Sequence, residues 1–359
     1  MSMLRGLMVL LALASPLDAA PQDISLGARH YLIDLPDHPT GAMILVLHGG
    51  GGNPAQFAEM TGLSAPALAQ GYAVIYPAAT QPKNLTMWNG GAASKNRPDD
   101  IGFLDQVITD ASQRFSLNPS RVYLTGMSNG AMMAEAYAMQ RSGAVKAVAG
   151  VSGTIDLKRT PVNPVPMLII HGTADQRVPY DGGRGAKTKV KNANFAAIPD
   201  QVAAIVTAFG TLTKTDTVID PANDGMRVLQ SDYSNAAGVQ VRLLQIEGGG
   251  HVWPGLPRKN SSKDISANIE VLLFFAAHPL GQTRAGKLAL VVSRRPCRRS
   301  LASETTRIAA TASPAAAARA HDLGPLPAPS PAPTRQTPPS QPASACASSP
   351  AQSTPGLRA

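Results

Sequence analysis

Short, continuously apolar runs alternate with stretches of helical composition along most of this chain. The clearest runs are Met43–Leu47, Tyr72–Tyr76 and Met167–Ile170, and Val122–Thr125 and Val145–Val151 are of the same kind apart from Thr125 and Lys146. A strand that is apolar on both faces has to be covered on both faces. Because helices between successive strands provide that cover, the pattern predicts a mostly parallel central sheet with helices on both faces, in an α/β fold.

Further elements extend this series at both ends. Tyr31–Leu35 is predicted as the first strand and Val241–Ile246 as the last. The predicted helices are Pro54–Gln70, Phe103–Phe115, Ala131–Arg141, Asp200–Phe209 and Ile265–Ala277. Asp99 and Asp100 precede the second helix at positions typical of N-caps, so both are interpreted as caps.

The two ends of the chain differ in composition from its middle. Residues 1–20 contain Arg5 and the apolar run Leu7–Ala14 followed by small residues, a pattern typical of a secretory signal peptide and too short to span a membrane. Residues 281–359 lack aromatic side chains and are rich in Pro and Ala, so they are predicted to be a disordered tail. A shifted reading frame in GC-rich DNA would also produce such a tail. One domain, 21–280, is therefore expected in a protein that is secreted to the periplasm or the medium, with no stable membrane insertion.

The charge and the cysteines also separate the tail from the domain. The chain has a formal charge of +9, and ten basic and two acidic residues in the tail account for +8 of it. The domain is nearly neutral, so the high isoelectric point does not indicate a nucleic-acid partner. Both cysteines, Cys297 and Cys346, lie in the tail, which excludes a thiolate metal site or a cysteine nucleophile in the domain. No metal and no cofactor are expected.

Ser128 is the predicted nucleophile. It is the central residue of Gly126-Met127-Ser128-Asn129-Gly130, between a predicted strand and a predicted helix. A tight strand-to-helix turn presents a serine in the open, and it favours glycine on both sides. The same five residues would also fit an ordinary Gly-Ser turn, so the interpretation depends on the loops that follow other strands.

Asp175 and His251 are the predicted acid and base. Asp175 follows the strand that ends at Ile170, and His251 follows the last strand in a glycine-rich turn. The chain order serine, acid, histidine is the order of α/β-hydrolases. Asp156 and Asp181 remain alternative acids.

The run Gly49–Gly52 follows a strand and predicts an oxyanion hole. Its backbone donor is Gly50, or Gly51 as a second choice, and Asn129 supplies the other N–H group. Trp88 and Trp253 are candidates for substrate contact. The alternative for Trp88 is a structural role, in which its ring fills the edge of the hydrophobic core. The histidines at two other strand ends, His48 and His171, are interpreted as structural residues that hydrogen-bond loop backbones.

Together these segments resemble the polyhydroxybutyrate depolymerase and feruloyl esterase family of LpqC-like secreted α/β-hydrolases. The matching segments are Leu47–Asn53, Asp99–Phe103, Arg121–Gly130, His171–Asp175 and Gly249–Gly255, and the resemblance covers about residues 28–279. It implies an α/β-hydrolase fold, nucleophile Ser128, acid Asp175 and base His251. It also implies hydrolysis of ester bonds in hydroxyalkanoate oligomers or in aromatic acids esterified to plant polysaccharide.

Two departures from the family pattern bear on the substrate. Relatives often have a cysteine in the loop after the first His-Gly pair and another in the tryptophan loop, and this chain has neither. Relatives that attack solid polyester carry a separate aromatic-bearing binding domain, whereas the tail here has no aromatic residue. The expected partner is therefore a small-molecule or oligomeric ester. A secreted serine peptidase of the same fold and a non-catalytic binding protein are the alternatives.

Overall fold

A ten-stranded sheet runs through the part of the chain that the computed structural model describes, which is residues 20–80, 85–90, 98–158, 164–190 and 193–279. The predicted signal peptide, apart from Ala20, and the predicted tail lie outside this part. The strands are β1 Gln22–Leu26, β2 Arg29–Asp34, β3 Met43–Leu47, β4 Ala73–Pro77, β5 Val122–Met127, β6 Val145–Val151, β7 Met167–Gly172, β8 Thr213–Ile219, β9 Val228–Asn235 and β10 Gly238–Ile246.

The order of the strands across the sheet is β1-β2-β4-β3-β5-β6-β7-β10-β9-β8. Neighbours from β4 to β10 are parallel, whereas the pairs at both margins are antiparallel. The mostly parallel sheet that the apolar runs predict is therefore confirmed. Because these central strands are parallel, the loops after β3, β5, β7 and β10 all leave from the same edge of the sheet.

Helices cover both faces of the sheet. They are α1 Pro54–Thr61, α2 Ser64–Leu68, α3 Asp100–Phe115, α4 Asn129–Gln140, α5 Ile198–Phe209 and α6 Ala267–Ala277. Alternate residues of β3 belong to two different buried clusters, one shared with α3, α4 and α5 and the other with α1, α2 and α6. Each central strand is thus apolar on both sides because each side packs on helices. In the described segments, no helix is long and apolar enough to cross a membrane.

The margins of the sheet differ from the sequence prediction. Strands β1, β8 and β9 were not predicted, and β8 is polar and largely exposed along its whole length, so no apolar run marks it. The predicted helix Pro54–Gln70 is two helices, because Gly62 ends α1 in the left-handed conformation at φ 57°.

Candidate active site

Ser128 lies in the one-residue turn between β5 and α4, where the chain reverses from strand to helix. Its backbone is at φ 57° and ψ −122°, an unusual conformation for a residue with a side chain. The Ser128 N–H donates to the carbonyl of Val151 on the neighbouring strand at 2.8 Å, which holds the turn in place. The side chain is half-buried at the edge of the sheet from which the loops after β3, β5, β7 and β10 leave.

Both glycines of the serine motif are required by close backbone packing. A Cβ atom at Gly130 would overlap the carbonyl oxygen of Leu47 at the end of β3, and one at Gly126 would lie 2.6 Å from the carbonyl carbon of Gly130. The start of α4 therefore packs directly on the end of β3. This contact brings Ser128 next to the glycine run that follows β3.

A cavity of about 340 Å³ opens beside Ser128. Gly50 and Asn129 line it together with Ser128. Its remaining described lining is apolar or basic: Leu85, Met87, Met132, Val178, Val190, Phe195, Arg177, Lys187 and Lys189, besides Gly51 and Thr188. The structure thus places the predicted nucleophile and both first-choice oxyanion residues around one cavity.

Asp175 and His251 are joined by a hydrogen bond. Nδ1 of His251 lies 2.7 Å from Oδ2 of Asp175. Their loops follow β7 and β10, which are adjacent parallel strands. The N–H of Ala174 donates to the carbonyl of Gly249 at 2.9 Å, and a Cβ atom at Gly172 would overlap that same carbonyl. The two loops therefore pack so closely that glycine is needed between them.

The carboxylate of Asp175 is almost fully enclosed. Burial alone would raise its pKa, but the hydrogen bond and charge of His251 and two backbone N–H groups outweigh burial, so the pKa is below its ordinary value. The two N–H groups are those of Arg177 and Val178, at 2.8 and 2.9 Å from Oδ1. Of the alternative acids, Asp156 accepts from the N–H of Lys158, and Asp181 is exposed. The carboxylate that meets His251 is that of Asp175.

His48 and His171 hydrogen-bond loop backbones, as predicted. Nδ1 of His48 donates to the carbonyl of Gly49 at 2.9 Å, and its Nε2 accepts from the N–H of Ala79 at 3.2 Å. This pair of bonds requires a neutral ring, and burial lowers the pKa of His48 accordingly. Nε2 of His171 donates to the carbonyl of Val178 at 2.8 Å, and burial also lowers the pKa of His171. Among the described side chains, no group of three His, Cys, Asp or Glu could hold a metal ion.

The two glycines proposed for the oxyanion hole differ in their hydrogen bonds. The N–H of Gly51 donates to the carbonyl of Thr86 at 2.7 Å, so it is already engaged within the loop. Gly51 also has φ 81°, which a residue with a side chain rarely adopts. Gly50 lies beside Asn129 in the lining of the cavity. A Cβ atom at Gly50 would lie 3.8 Å from Cβ of Asn129. This geometry favours Gly50 over Gly51.

Both tryptophans are 1% exposed. Nε1 of Trp88 donates to the carbonyl of His48, and Nε1 of Trp253 donates to Oδ1 of Asn268, both at 2.9 Å. Trp88 borders a second cavity of about 450 Å³, and Trp253 borders another of about 380 Å³ beside His251. Their rings belong to the core, so burial favours the structural alternative for Trp88. Contact of either ring with substrate stays a prediction.

The side chain of Asp100 has a role that its sequence position did not indicate. Asp99, not Asp100, caps α3, with Oδ1 accepting from the N–H of Gly102 at 2.9 Å. Asp100 is buried, pairs with Arg29 at 2.6 Å and accepts from the N–H of Asn89 at 2.6 Å. The prediction that Asp100 is a cap is therefore wrong, because this carboxylate points inward and anchors the loop that carries Trp88. No local signal could reveal it, since Arg29 lies 71 residues earlier.

Comparison with known proteins supports this description. Residues 28–202 match the phospholipase/carboxylesterase family model. A provisionally named esterase, NocK, of Nocardia uniformis subsp. tsuyamanensis is 29% identical over 236 residues, covering 59% of this chain and 65% of that protein. Feruloyl esterase B of Piromyces equi is 25% identical over 236 residues, covering 62% of this chain and 42% of that protein. The chain thus spans less than two thirds of the length of either relative.

A solved structure supports the fold independently. The acetyl xylan esterase from Aspergillus awamori superimposes with a TM-score of 0.51 at 13% identity, covering 72% of this chain and all of that one. At this identity the likeness concerns the fold alone. The chain is therefore a protein of the α/β-hydrolase fold whose relatives in sequence are esterases.

Proposed function

We propose that this protein is a serine esterase that hydrolyses carboxylic ester bonds through Ser128, His251 and Asp175. The observation that carries the proposal is the 2.7 Å hydrogen bond between His251 and Asp175. Their loops follow β10 and β7, which lie three and two strands from β5 along the sheet edge that presents Ser128. The names of the sequence relatives, an esterase and a feruloyl esterase, support the same reaction class.

The proposed reaction begins with proton transfer. Because Asp175 accepts the Nδ1 proton of His251, Nε2 is the ring nitrogen left to take the proton of the Ser128 hydroxyl. The serine oxygen attacks the ester carbonyl carbon, and the resulting oxyanion accepts hydrogen bonds from the backbone N–H groups of Asn129 and Gly50. Collapse of this intermediate breaks the bond to the alcohol oxygen, which takes the proton from His251. Water then attacks the acyl-enzyme in the same way and releases the acid.

The proposed substrates are soluble or oligomeric esters of the hydroxyalkanoate or feruloyl type. A cavity of about 340 Å³ with a largely apolar lining suits a short alkyl or single aryl group. Rates on methyl ferulate, on a short-chain 4-nitrophenyl ester and on hydroxybutyrate oligomers would rank these classes.

The decisive test is the Ser128→Ala variant, with Ser142→Ala in the loop after α4 as the matched control. Hydrolysis of 4-nitrophenyl butyrate and labelling by a fluorophosphonate should both be lost in the first variant and kept in the second. A Ser128→Ala protein that retains hydrolysis at the wild-type rate would contradict the proposal. Absence of labelling in the wild type would favour the non-catalytic binding protein, and faster cleavage of an anilide than of the ester would favour the peptidase.

We also propose that residues 1–20 direct export and that residues 281–359 take no part in the reaction. The apolar run after Arg5 and the predicted domain limits 21–280 support this division. The mass of the exported protein should correspond to a chain that begins after Ala14 or near Ala20. A full-length mass in the cytoplasm would contradict export, and a lower kcat/KM for a chain that ends at residue 280 would contradict an inert tail.

A further inference from the structure

We propose that this site prefers esters that carry a second, ionised carboxylate. The carboxylate would bind a basic rim, which we define as Arg177, Lys187 and Lys189, at the cavity beside Ser128. This inference rests on the proposed esterase function and names the substrate class of the same site.

The charges of the basic rim are not balanced locally. All three side chains are exposed and line the cavity, and none of its described lining residues is acidic. The ion pairs formed between described side chains include none of the three. The enclosed carboxylate of Asp175, two residues before Arg177 in the chain, already accepts three hydrogen bonds. An anionic group on a substrate would therefore meet uncompensated positive charge at the cavity.

General basicity of the chain does not explain the basic rim. The tail from residue 281 accounts for +8 of the formal charge of +9, and the first 19 residues contain one basic and one acidic residue. Residues 20–280 are thus left with a formal charge of +1. Three cations at one cavity, without an ion pair among the described residues, are a local concentration within a domain that is otherwise close to neutral.

Hydrogen bonds tie the backbone at Arg177 and Lys187 to the turn that carries the proposed acid. The N–H of Arg177 donates to Oδ1 of Asp175 at 2.8 Å. The N–H of Lys187 donates to the carbonyl of Gln176 at 2.8 Å, and the Thr188 hydroxyl donates to the carbonyl of Arg177. A Cβ atom at Gly185 would overlap the carbonyl of Gln176, so this segment packs directly on the turn after Asp175. The basic rim and the proposed triad therefore share one scaffold.

The remaining lining of the cavity favours an apolar segment between the ester group and the carboxylate of the substrate. Met87, Met132 and Phe195 give it an apolar wall that fits a short alkyl chain. A chain with the scissile ester at one end and a carboxylate at the other would place its apolar part on this wall and its charge at the basic rim. Short hydroxy-acid oligomers with a free carboxyl end have this chemistry, whereas a neutral ester gains nothing from the basic rim.

The test compares two esters that differ in one charge. They are 4-nitrophenyl hydrogen adipate, which carries a free carboxylate, and its methyl ester, methyl 4-nitrophenyl adipate, which is neutral. The quantity measured is kcat/KM for the charged ester divided by kcat/KM for the neutral ester. This ratio cancels any general loss of activity. Replacing the basic rim by Arg177→Gln, Lys187→Gln and Lys189→Gln together should lower the ratio roughly tenfold, the effect of two or three exposed ion pairs. Raising the salt concentration from about 0.01 M to about 0.5 M should lower the ratio in the wild type and change it little in this variant.

A control with the same change of net charge combines Lys146→Gln, Lys214→Gln and Lys263→Gln, none of which lines the cavity. Its ratio should equal that of the wild type. An unchanged ratio in the rim variant, or an equal fall in the control, would overturn the proposal while leaving the esterase function intact. If the wild type hydrolyses neither ester, or the Ser128→Ala variant hydrolyses both, the esterase function itself fails.

Discussion

Asn129 and Trp88 are joined by two hydrogen bonds. Oδ1 of Asn129 accepts from the backbone N–H of Trp88 at 2.7 Å, and its Nδ2 donates to the backbone carbonyl of Trp88 at 3.1 Å. Because Nε1 of Trp88 donates to the carbonyl of His48, this pair connects the start of α4, the loop 85–90 and the turn after β3. The side chain of Asn129 thus holds together the segments that line the cavity, besides offering its backbone N–H to the proposed oxyanion hole.

Replacing Asn129 by alanine should cost about 1–3 kcal/mol of unfolding free energy, because both backbone groups of Trp88 lose their partner. Ester hydrolysis should fall as well, since the loop that lines the cavity is no longer held, although the N–H at position 129 remains. Urea unfolding and kcat on a 4-nitrophenyl ester measure the two effects. Asn235→Ala, which removes one exposed hydrogen bond from the β9–β10 hairpin, is the control and should cost clearly less. Equal losses in the two variants would contradict this role.

Replacing Asp175 by asparagine should lower kcat roughly a thousand- to ten-thousand-fold with the fold retained. The amide keeps the size of the carboxylate, and its oxygen can still accept from the two backbone N–H groups, but it no longer fixes the protonated nitrogen of His251. Steady-state kinetics and a thermal melt separate loss of chemistry from loss of structure.

The matched controls for Asp175 are the two other acids that the sequence leaves open. Asp156→Asn and Asp181→Asn should each keep kcat within a few-fold of the wild type, because neither carboxylate is hydrogen-bonded to His251 in the described structure. A loss of a thousand-fold in either one, with Asp175→Asn active, would assign the acid role to that residue instead.

Alanine at Gly130 should prevent stable folding, or cost at least about 3 kcal/mol, because its Cβ atom would overlap the carbonyl oxygen of Leu47. Gly143 lies in the loop after α4, and a Cβ atom there would have no neighbour within 4 Å. Gly143→Ala should therefore fold with a stability close to that of the wild type. The yield of soluble protein and the urea midpoint provide the comparison, and a normally stable Gly130→Ala protein would refute the close packing of α4 on β3.

The strands that are easiest to predict from the sequence are the ones that are buried on both faces. The strands β3, β5, β6 and β7 are buried on both faces, so each is a largely apolar run that can be recognised locally, with Lys146 in β6 as the one charged exception. Strand β8 has the sequence TKTDTVI and is formed by its pairing with β9, which no local pattern records. The end of α1 at Gly62 was missed for a different reason, because an apolar run can continue through a break in the helix.

The same distinction separates the parts of the site. The positions of Ser128, Asp175 and His251 at the ends of strands could be predicted because each lies in a recognisable loop, and their chain order is what the proposed triad rests on. The pairing of Asp100 with Arg29 and the bonds between Asn129 and Trp88 join residues 71 and 41 positions apart. Such contacts depend on the packing of the finished fold. They were therefore visible only in the structure, although every residue involved could be read from the chain.

Glu135 lies on α4, and its carboxyl group is buried in the core. It is 0% exposed, and neither of its oxygens has a hydrogen-bond partner among the described residues. It packs so closely on β6 that a Cβ atom at Gly150 would overlap its Oε1. Burial raises the pKa of Glu135 to about 8. The side chain is therefore neutral in the folded protein at pH 7.

This raised pKa makes stability depend on pH in a defined direction. Below about pH 4.5 the carboxyl group is protonated in both the folded and the unfolded chain, so it does not make the unfolding free energy depend on pH. Between about pH 5 and pH 8 the unfolded chain releases the proton and the folded chain keeps it, so the unfolding free energy falls with rising pH, by roughly 1.4 kcal/mol per unit at most. Above about pH 8 both states are ionised and the loss stays constant.

Glu135→Gln removes this dependence while keeping the size of the side chain. Relative to the wild type, the variant should gain stability progressively between about pH 5 and pH 8, reaching several kcal/mol, because only the wild type has to retain a proton in the core. The measurement is urea unfolding of both proteins at several pH values, since the difference cancels every other titrating group. Glu59→Gln on the exposed side of α1 is the control and should show no growth of the difference with pH. A difference between Glu135→Gln and the wild type that is the same at pH 5 and pH 8 would mean that Glu135 is ionised in the folded core, which would require a cation or ordered water beside it.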